Sequence, residues 1–167
     1  MAMCTGRHCR ICVRVEAISN PKKLWLDSDR LKSYLPSMIK ILIIEDDSQI
    51  RMVYSYAFHN NGFKVMEAAD AVTGLKLLDE HKPDIVLLDM LMPGISGLDF
   101  LRQNNIHHRY PEIKLIAFSN IETPRVVEEA KKLGVEKYFL KVDVTPHQMI
   151  EIIHQLVGSK KKSDVAL

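Results

Sequence analysis

The chain has 167 residues, 47% of them hydrophobic and 26% charged, with a formal net charge of +2. That balance belongs to one ordinary globular domain with short additions, and the small net charge gives no ground for a nucleic-acid or membrane partner. No stretch is long and apolar enough to span a bilayer, and Arg7, Arg10 and Arg14 are not followed by the apolar run of a secretory signal.

The first 37 residues differ from the rest. They carry seven Lys or Arg against three acids, while residues 38–167 carry sixteen against eighteen. All three cysteines, Cys4, Cys9 and Cys12, lie here, so no disulfide framework holds the remainder and a reducing, cytoplasmic setting is expected. With His8 they offer a Cys₃His set for zinc, but the four are crowded without paired Cys-x-x-Cys knuckles, and a thiol-bearing tail is the preferred reading. Asn20 and Pro21 can open a short helix carrying Leu24, Leu31 and Leu35, which Pro36 ends. We expect 1–37 to be a basic, poorly ordered extension, with Met38 as the natural start.

From Lys40 the pattern alternates. Ile41-Leu42-Ile43-Ile44 is a short continuous apolar run, as in a strand buried on both faces. Ser48 to Asn61 places Ile50, Val53, Tyr54, Ala57 and Phe58 at helical spacing, closed by Asn61-Gly62. Phe63 to Ala68 is a second strand. Asp70 caps a helix with Val72, Leu75 and Leu78 on its inner face, ending before Pro83. Ile85 to Leu88 is a third strand, ending at Asp89. Ser96 to Asn105 is a third helix, followed by a solvated loop with His107-His108. Ile113 to Phe118 is a fourth strand, ending at Ser119. Pro124 to Leu133 is a fourth helix, stopped by Gly134. Lys137 to Leu140 is a fifth strand, ending at Lys141. Thr145, Pro146 and Gln148 form a capping box for a fifth helix reaching Val157. Residues 158–167, with Lys160-Lys161-Lys162, read as a polar tail. Five strands alternating with five helices predict an α/β domain: a parallel sheet, doubly wound, with helices on both faces.

Parallel strands place their C-terminal ends along one edge, where open α/β sheets build their sites. Glu45-Asp46-Asp47, Asp89, Ser119 and Lys141 all fall there. Three adjacent acids repel one another unless a cation neutralises them, and Mg²⁺ takes one or two carboxylates with several waters. A solvated acidic turn capping the next helix is the plain alternative. Asp89 favours a site, because it ends the most apolar strand and faces the acid cluster across one neighbour. Ser119 otherwise caps the helix that follows, and Lys141 otherwise lays its stem on apolar surface.

With these residues in place, residues 38 to about 157 resemble a response regulator receiver domain of two-component signalling, of the stand-alone, chemotaxis-regulator-like kind. The resemblance rests on Glu45 and Asp46, Asp89, Ser119, Tyr138 and Lys141, and on the loop Asp89-Met90-Leu91-Met92-Pro93-Gly94. The spacings agree, 30 residues from Asp89 to Ser119 and 22 from Ser119 to Lys141. It implies a flavodoxin-like fold with strand order 2-1-3-4-5. It implies Asp89 as phosphoacceptor, with Mg²⁺ held by Glu45 through water, Asp46, Asp89 and the backbone carbonyl of Leu91. Lys141 and Ser119 contact the phosphoryl group, and Ser119 with Tyr138 forms the switch. The expected partners are a sensor histidine kinase or phosphotransfer protein and a downstream target. The target is reached through the surface of the fourth helix, fifth strand and fifth helix, and a phosphorylation-dependent homodimer through that surface is left open. Such a chain is a regulator rather than an enzyme.

The chain departs from the family at three points. Val142 follows the lysine where many members have proline, Ser119 replaces threonine, and apolar Leu91 and Ile121 stand where residues usually flank the attacking water. Neither can orient water, which predicts a long-lived phosphoryl group. A receiver-like interaction module that works without phosphorylation is the runner-up, and the intact acids, Ser119 and Lys141 weigh against it. A Mg²⁺-dependent phosphohydrolase would carry a second acid at position 91. A flavodoxin-type cofactor binder would carry a Ser/Thr/Gly loop after the first strand. For Tyr138 the alternative is an amphipathic aromatic at the sheet edge.

Overall fold

In a computed structural model, described for residues 38–158, strands alternate with helices, save that two helices follow one another before β4. They are β1 (Lys40–Ile44), α1 (Ser48–Asn60), β2 (Lys64–Ala68), α2 (Ala71–His81), β3 (Ile85–Asp89), α3 (Gly97–Asn104), α4 (Ile106–Arg109), β4 (Lys114–Ser119), α5 (Pro124–Lys132), β5 (Val135–Leu140) and α6 (Pro146–Gly158). The expectations for 1–37, including the Cys/His cluster, and for the tail beyond 158 lie outside the described residues.

All strands are parallel, in the order β2-β1-β3-β4-β5. This is the doubly wound, flavodoxin-like sheet expected. Successive side chains in a strand point to opposite faces, and the central strands sort accordingly. Leu42, Ile44, Val86, Leu88, Leu115 and Ala117 join Leu78 of α2, Phe100 and Leu101 of α3, Ile106 and Ala130 in one apolar layer. Ile41, Ile43, Ile85, Leu87, Ile116 and Phe118 join Tyr54 and Phe58 of α1 and Met149, Ile150 and Ile153 of α6 in the other. The unbroken apolar runs in β1 and β3 are thus the signature of strands covered twice.

The caps are chemical. Asp47 accepts from the N–H groups of Gln49 and Ile50, Asp70 from Thr73, Ser96 from Asp99 and Thr123 from Val126. Thr145 and Gln148 form the predicted reciprocal box: the Gln148 N–H donates to Thr145 Oγ1, and the Thr145 N–H to Gln148 Oε1.

Several expectations change. Val53 and Val72 face solvent rather than the core, because the buried stripes of α1 and α2 are narrower than helical spacing suggested. The stretch with His107 and His108 is a turn of helix, α4, pinned by buried Ile106. Strand β5 starts earlier, at Val135, pairing with Leu115 before a register irregularity. The helix after Ser119 is capped by Thr123, so the plain reading of Ser119 as its cap does not hold.

Candidate functional site at the C-terminal sheet edge

Register alone brings the predicted residues together. Ile44 pairs with Leu88 across β1 and β3, so Glu45 and Asp89, each one residue further on, come level on adjacent strands. Asp89 pairs with Phe118, so Ser119 lies one step beyond on β4. Ser119 pairs with Leu140, and Lys141 follows, its N–H donating to the Ser119 carbonyl at 2.8 Å. The strand order reverses between β1 and β3, which opens the crevice that such sheets use for binding.

The Lys141 ammonium is the hub. Its Nζ lies 2.8 Å from Asp89 Oδ2, 2.8 Å from Glu45 Oε1 and 2.7 Å from Glu45 Oε2. Glu45 is 2% exposed and Asp89 3%. Burial pulls the Lys141 pKa down, but hydrogen bonds and charge from Asp89 and Glu45 outweigh it and hold the ammonium above its ordinary value. Burial pushes the Glu45 carboxyl up to about 7, with the Asp89 charge adding to the rise and the Lys141 hydrogen bond opposing it.

One oxygen each from Glu45, Asp46 and Asp89 lie within 4.8 Å of one another. With all three ionised, one ammonium leaves a net charge of −2. Glu45 Oε1 accepts from Lys141 and, at 3.3 Å, from the Asp47 N–H. Glu45 Oε2 is buried and lies at ion-pair distance from Lys141, yet accepts no aligned hydrogen bond. A buried carboxylate oxygen without an aligned donor, in an all-oxygen acid group of net negative charge, fits a hard divalent cation. Asp47 is turned away as the cap of α1, so only the first two of the three adjacent acids face the site.

The remaining predicted residues ring this centre. The Leu91 N–H donates to Asp89 Oδ1 at 2.9 Å, while the Leu91 side chain is 47% exposed. Ser119 is buried and its Oγ accepts from the Ile121 N–H at 3.2 Å. The Tyr138 hydroxyl donates to the Ile121 carbonyl at 2.6 Å. The Ile121 peptide is therefore tied to Ser119 at one end and to Tyr138 at the other. The peptide bonds of the described residues are all trans, that between Lys141 and Val142 included.

Three contributors escaped the sequence reading. Arg51 donates from Nη1 to the Glu45 carbonyl at 2.6 Å and the Asp46 carbonyl at 3.3 Å, while its Nε faces Glu67 of β2 at 3.6 Å. Phe118 places its ring 5.7 Å from Lys141 Nζ, as a floor beneath the ammonium. Tyr54 packs edge-on against Phe118, centroids 4.8 Å apart. The signal for Arg51 was a cation one helical turn inside α1 from the acids. Tyr54 was visible only as one more residue of the apolar stripe.

A doubly wound sheet with buried acids, a hydroxyl and an ammonium at the switch point defines a receiver-type signalling domain. Residues 41–154 match the response regulator receiver domain, and the chain belongs to that family, whose members are regulators in two-component signalling. Among its relatives, sporulation initiation phosphotransferase F of Bacillus subtilis is 32% identical over 103 residues, 61% of this chain and 81% of the relative. The B. subtilis transcriptional regulatory protein CitT is 32% identical over 126 residues, 74% of this chain but 54% of the relative. The CheY-like receiver domain protein of Methanospirillum hungatei JF-1 superposes with a TM-score of 0.70 at 25% identity, covering 75% of this chain and 98% of that one. A receiver domain protein of Clostridium thermocellum gives a TM-score of 0.66 at 29% identity, over 74% and 98%. Among the described residues no helix is long and apolar enough to cross a membrane.

Proposed function

We propose that this domain is a phosphoacceptor switch: Asp89 takes a phosphoryl group from a histidine of a partner kinase or phosphotransfer protein. The observation that carries the reading is the buried Lys141 ammonium shared between Asp89 and Glu45. One Asp89 carboxylate oxygen forms the new O–P bond as the N–P bond of the phosphohistidine breaks, and the imidazole leaves with the electron pair. Little covalent chemistry is asked of the protein beyond positioning and charge stabilisation. Lys141, already within hydrogen-bond reach of Asp89, meets the charge on the transferring oxygens, and Ser119 offers a hydroxyl to them.

Mg²⁺ would be held by Asp46, Asp89 and the Leu91 carbonyl, with Glu45 behind. When bound, it supplies the positive charge that the acid cluster lacks and neutralises the phosphoryl oxygens. The product is an acyl phosphate on Asp89. Its new acceptor oxygens draw Ser119 away from the Ile121 N–H, and Tyr138, bonded to the carbonyl of the same residue, responds. The surface of α5, β5 and α6 then presents the change to a downstream protein, and a homodimer through it is a further outcome. The chain acts as a regulator, and direct binding to nucleic acid or membrane is not part of the reading. Residues 38–157 form the receiver unit, 1–37 a basic extension, 158–167 a polar tail, and the setting is cytoplasmic.

The test is intact mass after incubation with acetyl phosphate, with and without Mg²⁺, for wild type and Asp89→Asn. The expected result is one added phosphoryl group that requires Mg²⁺ and Asp89. A folded wild type that gains none, from acetyl phosphate or from a histidine phosphodonor, would move the assignment to a phosphorylation-independent interaction module.

A further inference from the structure

We propose that Tyr54 is a positioning residue for Lys141: its buried hydroxyl holds the loop that brings the ammonium to Glu45 and Asp89. The proposal rests on the role given to Lys141 above. Lys141 is the first residue beyond β5, and among the described residues the loop's backbone hydrogen bonds to the sheet lie near its start, while the Val144 side chain further on is buried in the α1–α6 layer. The Lys141 N–H donates to the Ser119 carbonyl at 2.8 Å and the Asp143 N–H to the Leu140 carbonyl at 3.1 Å. Val142 is 85% exposed, and residues 141–145 contain no proline to fix a backbone angle. The far half of the loop is held from elsewhere in the chain. The Tyr54 hydroxyl, on α1, donates to the Val144 carbonyl at 2.6 Å in a buried bond spanning 90 sequence positions. A buried carbonyl needs a partner, and so does a buried phenol; here each supplies the other.

A second contact runs from the same residue to the same target. The Tyr54 ring meets Phe118 edge-on, and Phe118 lies beneath the Lys141 ammonium. Tyr54 also lines, with Ile50 and Phe118, the apolar back wall behind Glu45 and Asp89. It therefore braces both the loop that delivers the lysine and the floor on which its charged end rests. Packing alone would be served by phenylalanine; among the described residues the hydroxyl bonds only the loop.

Tyr54→Phe keeps the ring and its contact with Phe118 and removes only the tether. Ile106→Val, buried in the layer on the opposite face of the sheet, is the control that weakens the domain without touching the loop. Two quantities are measured: amide hydrogen exchange of residues 141–145 by mass spectrometry in EDTA, and the initial rate of labelling by acetyl phosphate with Mg²⁺. Tyr54→Phe is expected to speed loop exchange about tenfold, the equivalent of one lost hydrogen bond, and to slow labelling several-fold. Ile106→Val is expected to leave both at wild-type values. Wild-type loop exchange in Tyr54→Phe, or equal slowing of labelling in Ile106→Val, overturns the proposal. If Tyr54→Phe loosens the loop while wild type takes no phosphoryl group, the phosphoacceptor reading falls and Tyr54 is reduced to a structural tether.

Discussion

Gly97→Ala tests whether the first turn of α3 sets the position of Asp89. Gly97 lies against the end of β3, its N–H donating to the Met90 carbonyl at 3.2 Å. A Cβ added there would sit 2.5 Å from the Asp89 carbonyl oxygen, 2.8 Å from Met90 Cα and 3.0 Å from Met90 Sδ. Two of those atoms are backbone, so no rotamer change clears them, and either α3 or the strand end must move. Overpacking of this kind costs about 1–3 kcal/mol, and alanine in place of glycine returns at most about 1 kcal/mol of helix propensity. A net loss of about 1–2 kcal/mol lowers the urea midpoint by roughly 0.5–1 M. Gly74→Ala is the matched comparison. There the three atoms nearest the new Cβ all belong to the Ile44 side chain, Cδ1 at 2.6 Å, Cγ1 at 3.0 Å and Cγ2 at 3.2 Å, and a side chain can rotate. Equilibrium urea unfolding of both variants, with acetyl phosphate labelling alongside, separates the two cases. Gly97→Ala is expected to lose more stability and to label more slowly, and Gly74→Ala to label like wild type. Equal stabilities with unchanged labelling in Gly97→Ala would refute the reasoning, for the backbone at Asp89 would then have room to spare.

Lys141→Met leaves Glu45 and Asp89 buried and facing one another; in EDTA the loss is expected to be about 3 kcal/mol by urea unfolding, with added Mg²⁺ recovering part of it. Leu91→Asn places a polar side chain beside Asp89 where an apolar one stands half exposed, and is expected to shorten the phosphoryl lifetime several-fold, followed by intact mass; an unchanged lifetime would show that Leu91 does not govern water at the site. The Asp70 carboxyl is held below its ordinary value by the Thr73 N–H and hydroxyl. A depressed carboxyl adds stability above its unfolded pKa and loses it as the pH falls through the folded one. The gap in melting temperature between wild type and Asp70→Ala should therefore be widest at neutral pH and narrow on acidification below the ordinary aspartate range. Thr145→Ala removes the capping box of α6 and is expected to cost about 1 kcal/mol, measured by thermal unfolding.

The sequence held most of this fold because its local signals agree. Continuous apolar runs in β1 and β3 are twice-covered strands, and the caps read at Asp70 and Thr145 do cap their helices, while the helix after β4 is capped by Thr123 rather than Ser119. The predicted site residues were legible for a geometric reason. Residues at the ends of parallel strands share one edge whatever their separation in the chain, so Glu45, Asp89, Ser119 and Lys141 had to converge once the sheet was recognised. What stayed hidden depends on side-chain direction rather than spacing. Val53 and Tyr54 are neighbours of similar hydrophobic promise, yet one faces water and the other reaches across to Val144. Asp46 and Asp47 are chemically equal side by side; the family resemblance singled out Asp46, and the structure adds that Asp47 turns away to cap α1. Nor could the α4 turn be read, because His107, His108 and Arg109 carry no periodicity and a single buried Ile106 fixes it.

The site is also the place where the chain departs from its own rules. Elsewhere among the described residues every buried strand position is apolar, and every helix but the short α4 has a side-chain cap at its start. At one edge two carboxylates, Glu45 and Asp89, are withdrawn from water beside a third acid, with a single ammonium between them. A sequence selected for stability alone would relieve this, since apolar replacement of a buried ionic group is commonly neutral or stabilising. An imbalance of that kind is what local rules broken at a functional site would leave. The surplus is negative and all-oxygen, which calls for a hard cation. The ammonium of Lys141 already pairs with Asp89 as well as Glu45, within reach of any anion that met Asp89. Under the phosphoacceptor proposal, the same excess charge would equip this edge to hold a cation and, beside it, a phosphoryl group. Around these charges, Arg51 donates to the carbonyls of the acid loop, Phe118 lies under the ammonium, and Tyr54 packs edge-on against Phe118.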